Sequence, residues 1–202
     1  MKKILLPLLV VALLFSCKGD PKTNPVIMED SGDMAPNREF GEKPSLFEVL
    51  ETNPAYNGFL KLVNMANMFD ELQALDNVTV FAPDDFNVNT ILNNELDGLS
   101  MQERQKKLRN IINYHIVDRV ITGPVLKSSV LPADKEVYRL KTKQGAYLSF
   151  VKEDGEIVIT DELMNEHTIL KLDTEATNGA VHNISGLLIP QDDDSVKNED
   201  ND

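Results

Sequence analysis

Apolar positions follow three rhythms along the 202-residue chain. Ile4 to Phe15 is unbroken apolar sequence apart from Pro7, and the positive Met1-Lys2-Lys3 precedes it. Its 12 residues fall short of the ~18 or more expected of a membrane-spanning helix, so it reads as the core of a signal peptide that export removes. From Ser45 the spacing becomes helical. Ser45-Leu46-Phe47-Glu48 is a capping-box pattern that starts a short helix with Leu46, Val49 and Leu50 on one face. Asn53-Pro54 opens a second helix, in which Phe59, Leu62, Val63, Ala66 and Phe69 keep one face as far as a turn at Asp76-Asn77. Val78 to Ala82 reads as a buried strand stopped by Pro83, and Asp84 and Asp85 suit the positive end of a following helix. Ser100 to Glu103 is a second capping box, and Leu108, Ile111, Ile112, His115 and Ile116 share a face of the helix it opens.

From Val120 the rhythm alternates. Val137 to Leu140, Tyr147 to Val151 and Ile157 to Ile159 are strand-like, with a hairpin turn at Glu153-Asp154-Gly155. Thr168 to Leu172 and Ala180 to Ile184 supply two more strands. Helices in the first half and strands in the second predict an α+β domain over residues 45–190.

Outside those limits the patterning lapses. Residues 17–44 carry Pro21, Pro25, Pro36 and Pro44 among scattered charges, and they read as a tether with an end-to-end distance of roughly 30 Å. Residues 191–202 hold six acidic side chains and one Lys, and they read as a solvated acidic tail. Residues 1–16 are the signal.

Composition narrows the function classes. The formal charge is −13, from 33 acidic against 20 basic side chains, and removal of Lys2 and Lys3 with the signal leaves 33 against 18, or −15. Such a surface repels phosphate backbones, so no nucleic-acid partner is expected. One cysteine excludes an intrachain disulfide and a Cys-Cys metal pair. Leu14-Phe15-Ser16-Cys17 resembles the lipobox of bacterial lipoproteins, although Phe15 replaces the small residue often found there. The resemblance implies cleavage before Cys17 and acylation of that residue. Several acyl chains anchor firmly where one is marginal, so a membrane partner through lipid is expected.

Three blocks in order then resemble the fasciclin (FAS1) domain family. They are Thr79 to Asp85, the Tyr-His block Asn113 to Val117, and Ala176 to His182 with Gly186 to Pro190. Asp84, Phe86 and Val88 depart from the family's usual residues. The resemblance implies a single wedge-shaped β-sandwich with a helical layer contributed mainly by the N-terminal half. It also implies structural roles for Thr79, Phe81, Pro83, Asp85, His115, Asn178, Gly179 and His182. In animal adhesion members the Tyr-His block is read as a binding surface, which makes Tyr114, His115, Ile116 and Val117 candidates here. Asp173 retains the acid of an Asp-Ile pair linked to integrin binding, with Thr174 in place of the Ile.

The residues themselves favour structure over catalysis. His115 lies among Leu108, Ile111 and Ile112, so its ring is expected to face the core with Asp85 as partner. His182 is expected within the sheet, Asn178-Gly179 in a tight turn, and His167 exposed in a polar loop. The three histidines lack a ligand spacing such as His-Glu-x-x-His, and there is no Gly-x-Ser-x-Gly. No metal, cofactor or catalytic set is therefore expected. Anchor and resemblance together imply a non-catalytic adhesion module engaging an extracellular protein or glycan. Its place is the bacterial envelope, and Lys18, rather than a retention Asp, points to the outer membrane. The alternative is an accessory subunit of outer-membrane oligosaccharide uptake.

Overall fold

Both capping boxes form as written. Ser45 and Ser100 each accept from the backbone N–H three residues on, and Glu48 and Glu103 return the bond to the cap. A computed structural model describes residues 43–84, 90, 94–132 and 136–191. The signal, Cys17, most of the tether, Asp85, Phe86, Val88 and the acidic tail from Asp192 lie outside them. All described residues fall in one compact unit.

Helix α1 (Leu46–Thr52) leads through a 3-10 turn at Pro54–Tyr56 into α2 (Asn57–Met65) and α3 (Phe69–Gln73). One helix was expected to run from Phe59 past Phe69. Asn67 takes a left-handed φ of 54° instead and breaks it, so Phe69 leaves the core face and packs edge-on against Phe47, with 5.0 Å between ring centroids. Strand β1 is Val78–Pro83 and helix α4 is Met101–Tyr114. Ile116 does not continue α4 but starts β2 (Ile116–Val117), and α5 (Gly123–Ser129) follows where alternation was expected. Then come β3 (Tyr138–Lys141), β4 (Tyr147–Glu153), β5 (Glu156–Thr160), β6 (Glu166–Ala176) and β7 (Gly179–Ile184). Asp154 and Gly155, at φ 48° and 92°, make the expected hairpin turn between β4 and β5.

The seven strands form one sheet in the order β2-β1-β7-β6-β5-β4-β3, and the α+β class holds. Among the described strands only β1 and β7 pair with each other in parallel, from Val78 opposite Gly179 to Pro83 opposite Ile184. β1 is buried on both faces, which is why it reads as an apolar run interrupted by Thr79. Val78, Val80 and Ala82 join a core with α1 to α4, while Phe81 joins a second core with Leu140, Leu148, Phe150 and Ile159. The two edge strands are drawn together where the Lys143 N–H donates to the Ile116 carbonyl at 2.7 Å, so the sheet curls almost closed.

Two residues set how closely the halves approach. Thr177 and Asn178 form the two-residue turn between β6 and β7. The Asn178 side chain accepts from the Leu46 N–H at 2.7 Å and donates to the Leu75 carbonyl at 2.6 Å, clamping the start of α1 and the segment after α3. Next to it, a Cβ on Gly179 would overlap the Val78 carbonyl oxygen, so only glycine permits this spacing. Asn178→Ala strands one donor and one acceptor, and it is expected to lower the unfolding free energy by about 2 kcal/mol. Urea unfolding monitored by circular dichroism checks this, and a loss no greater than that of an exposed Asn→Ala change would refute the clamp.

Candidate functional site

The Tyr-His block sits where α4 ends and β2 begins. Tyr114 and His115 are 0% exposed, Ile116 1% and Val117 2%. The binding surface that the resemblance implied for Tyr114, His115, Ile116 and Val117 is therefore corrected: Tyr114 and His115 are sealed in the core, and Ile116 and Val117 offer a partner almost no surface. His115 Nδ1 lies 2.8 Å from the Ile111 carbonyl, and the Leu188 N–H donates to Nε2 at 3.0 Å. That pattern assigns the proton to Nδ1 and leaves Nε2 as acceptor. Backbone thus satisfies both nitrogens; Asp85, the expected partner, lies outside the described residues. Burial holds this imidazole neutral, with its pKa lowered to about 4. The Tyr114 hydroxyl accepts from the Glu162 N–H at 3.0 Å and donates to the Tyr147 carbonyl at 3.3 Å, and burial pushes its pKa up.

The last block is joined to the first in the same way. His182, also 0% exposed on β7, has Nδ1 accepting from the Asp173 N–H at 3.2 Å and Nε2 2.8 Å from the Ile121 carbonyl. Its proton is therefore on Nε2, the opposite tautomer to His115. Burial lowers its pKa as well. Thr79 accepts from the Ile121 N–H at 2.7 Å and donates to the Arg119 carbonyl at 2.8 Å, fixing the segment after β2. Asp173, at φ 52° in an irregular stretch of β6, accepts from the Gly123 N–H at 2.5 Å. The candidate adhesion acid, its side chain 23% exposed, thus holds the first turn of α5, where negative charge meets the helix dipole.

Several site-like residues escape a sequence reading. Asp161, 3% exposed after β5, accepts from the backbone N–H groups of Leu163, Asn165 and Ile189 and from the Asn165 side chain. His167 is corrected from exposed to largely buried: it pairs with Ile159 across the sheet, its side chain is 12% exposed, and Nε2 lies 3.6 Å from an Asp161 oxygen. A loop Asp followed four residues later by Asn is the one signal that pointed to this turn. An apolar recess of about 300 Å³ lies between Leu72, Leu75 and Ile116, with the buried Asn113 Oδ1 unpaired at its margin. A trough of about 650 Å³ lies between the ends of β2 and β3. Among the described residues no three His, Cys, Asp or Glu side chains stand close enough to hold a metal. With both nitrogens bonded to backbone, His115 and His182 offer no free lone pair to a substrate.

The model of the Fasciclin domain family matches residues 54–190, more than half of the chain. Protein sll1483 of Synechocystis sp. is 27% identical over 146 residues, covering 72% of this chain and 73% of that protein. Human periostin is 28% identical over 154 residues, 73% of this chain but only 16% of periostin. Among solved structures, a FAS1 domain pair from the insect cell adhesion molecule Fasciclin I matches with a TM-score of 0.49 and 23% identity, over 66% of this chain and 45% of that one.

The neutral state of His115 makes stability depend on pH. The unfolded chain binds a proton as pH falls through about 6.5, whereas the folded imidazole resists until about 4. Stability from this group is therefore complete above 6.5 and is lost as pH falls towards 4, by about 3 kcal/mol in all. His182 acts in the same direction. His115→Gln is expected to be less stable at pH 7.5 yet to lose less than wild type on acidification to pH 4.5. Parallel losses in urea unfolding at the two pH values would refute this assignment.

Proposed function

The chain belongs to the Fasciclin domain family, and from that premise we propose that it is a non-catalytic adhesion module, held to the bacterial envelope by lipid on Cys17 and engaging an extracellular protein or glycan. The family match over residues 54–190 carries this reading, because fasciclin domains are modules of adhesion proteins. The first 16 residues supply a means of export and Cys17 a lipid acceptor, with Lys18 after it favouring the outer membrane. With the imidazoles of His115 and His182 committed to backbone, recognition falls to exposed side chains. The uptake alternative requires a pocket on which aromatic rings converge. Among the described residues, the apolar recess is lined by none and the trough by Tyr147 alone, which favours adhesion.

The anchor is tested with the full chain and its Cys17→Ser variant in bacteria fed an alkyne-tagged fatty acid. Wild type is expected to carry the label and sediment with outer membrane, and the variant to be unlabelled. Label on the variant would overturn the anchor. Cells bearing wild type are also expected to be retained on surfaces coated with envelope glycan or matrix protein several-fold better than cells bearing the variant. Equal retention would overturn the adhesion reading.

A further inference from the structure

The chain is strongly acidic, yet one surface reverses the sign. Among the described residues, the trough at the seam between β2 and β3 is lined by Arg119, Arg139, Lys141 and Lys143, against the single carboxylate of Asp118. Asp118 lies 3.4 Å from Lys143, and the Arg119 guanidinium lies 3.5 Å from the Tyr138 hydroxyl. Arg139 and Lys141 point outward on either side of the buried Leu140, and neither pairs with a carboxylate of the described residues. Alternate residues on a strand stand roughly 6.6 Å apart, so these two cations form a short row. Tyr147 pairs with Lys141 across the sheet and is 52% exposed beside that row.

We infer that this trough is a binding site for an acidic polysaccharide, whose carboxylates or sulfates meet the Arg119, Arg139 and Lys141 row while a sugar face stacks on Tyr147. The inference rests on the adhesion reading and names its ligand class. Net charge does not oppose it, because at physiological salt charges beyond about 8 Å are largely screened and the ligand meets the local field. Exposed cations on an edge strand also have a plain use, since they deter sheets from adding to the edge. That use needs charge of either sign, whereas an anionic ligand needs positive charge, and the two are thereby separable. A nucleic acid fits less well: duplex binding draws on roughly 6–10 phosphate contacts, more than this row supplies. An added acidic peptide strand would have only the four residues of β3 to pair with, next to a seam that the Lys143 N–H already bridges.

The test uses the full chain in detergent, with the double variant Arg139→Glu/Lys141→Glu and the single variant Tyr147→Ala. Alginate serves as a polycarboxylate, chondroitin sulfate as a sulfated polymer, dextran as a neutral one, and a single-stranded DNA oligomer as a phosphate polymer. Wild type is expected to bind at least one of the two acidic polysaccharides, more weakly as salt rises, and not dextran; the tighter of the two identifies the anion. The double variant is expected to lose about tenfold or more in affinity while unfolding at the same temperature and keeping the same oligomeric state. Tyr147→Ala is expected to weaken binding without changing its salt dependence. Unchanged affinity in the double variant, equal binding of dextran, tighter binding of DNA, or silence with both acidic polymers would each overturn the proposal. Silence here with retention on protein-coated surfaces would sink the trough and leave the adhesion reading standing.

Discussion

Everything in the domain hangs on the parallel pairing of β1 with β7, because it joins the helical first half to the strands of the second. The partners are about a hundred residues apart, so closing the intervening loop costs several kcal/mol of chain entropy before any pair is made. The burial of β1 on both faces supplies the compensation: Val78, Val80 and Ala82 face the helices, and Phe81 the curled sheet. Glycine at 179 sets the spacing of the pair. Asn178 then spreads the constraint to α1 and to Leu75, so the last hairpin seats the first helix.

The polar residues of the family blocks finish this closure rather than forming a reactive centre. His115 takes the N–H of Leu188, beyond β7, and gives its own proton to Ile111 in α4. His182, on β7, reaches back to Ile121 beyond β2, the segment that Thr79 of β1 also holds. Each imidazole is one donor and one acceptor in a fixed arrangement, and the two use opposite tautomers. A protonated ring would have to present two donors, so a backbone N–H would be left facing a ring N–H. The burial that fixes these tautomers also keeps both rings neutral, which ties the integrity of the closure to the same groups that lower its stability in acid.

Much of this was legible in the sequence, and the misses have physical causes. The capping boxes at Ser45 and Ser100, the buried β1 and the Asp154-Gly155 hairpin all follow from local chemistry, and local chemistry is what a sequence displays. Asn67 was illegible as a helix break because Asn, although it favours a left-handed backbone more than most residues, also occurs inside helices, and the apolar spacing ran through it unbroken. β2 was missed because two residues carry no periodicity, and α5 because it lacks the capping box that marks α1 at the same length. His167 was placed outside by its polar neighbours, whereas pairing with Ile159 turns it towards Asp161. Helical spacing turned His115 and Ile116 of the Tyr-His block inward, but only the packing shows that Tyr114 and Val117 face inward as well.

The same packing explains where recognition is left to occur. A sheet that curls without closing must end in two edges, and here the edges meet across a gap bridged by the Lys143 N–H to the Ile116 carbonyl. Residues at such a seam cannot be apolar without inviting other strands to add, so charge is required there by the fold itself. The fold does not dictate the sign. In a chain with 33 acidic and 20 basic side chains, acidic residues would be the commoner solution, yet Arg119, Arg139, Lys141 and Lys143 are what line the gap. Like charges in a row repel one another, a cost that an edge guard of mixed sign would avoid and that a bound polyanion removes. The departure from the chain's own bias, at the one place where the fold demands charge but not its sign, is what separates a ligand site from an edge that is merely protected.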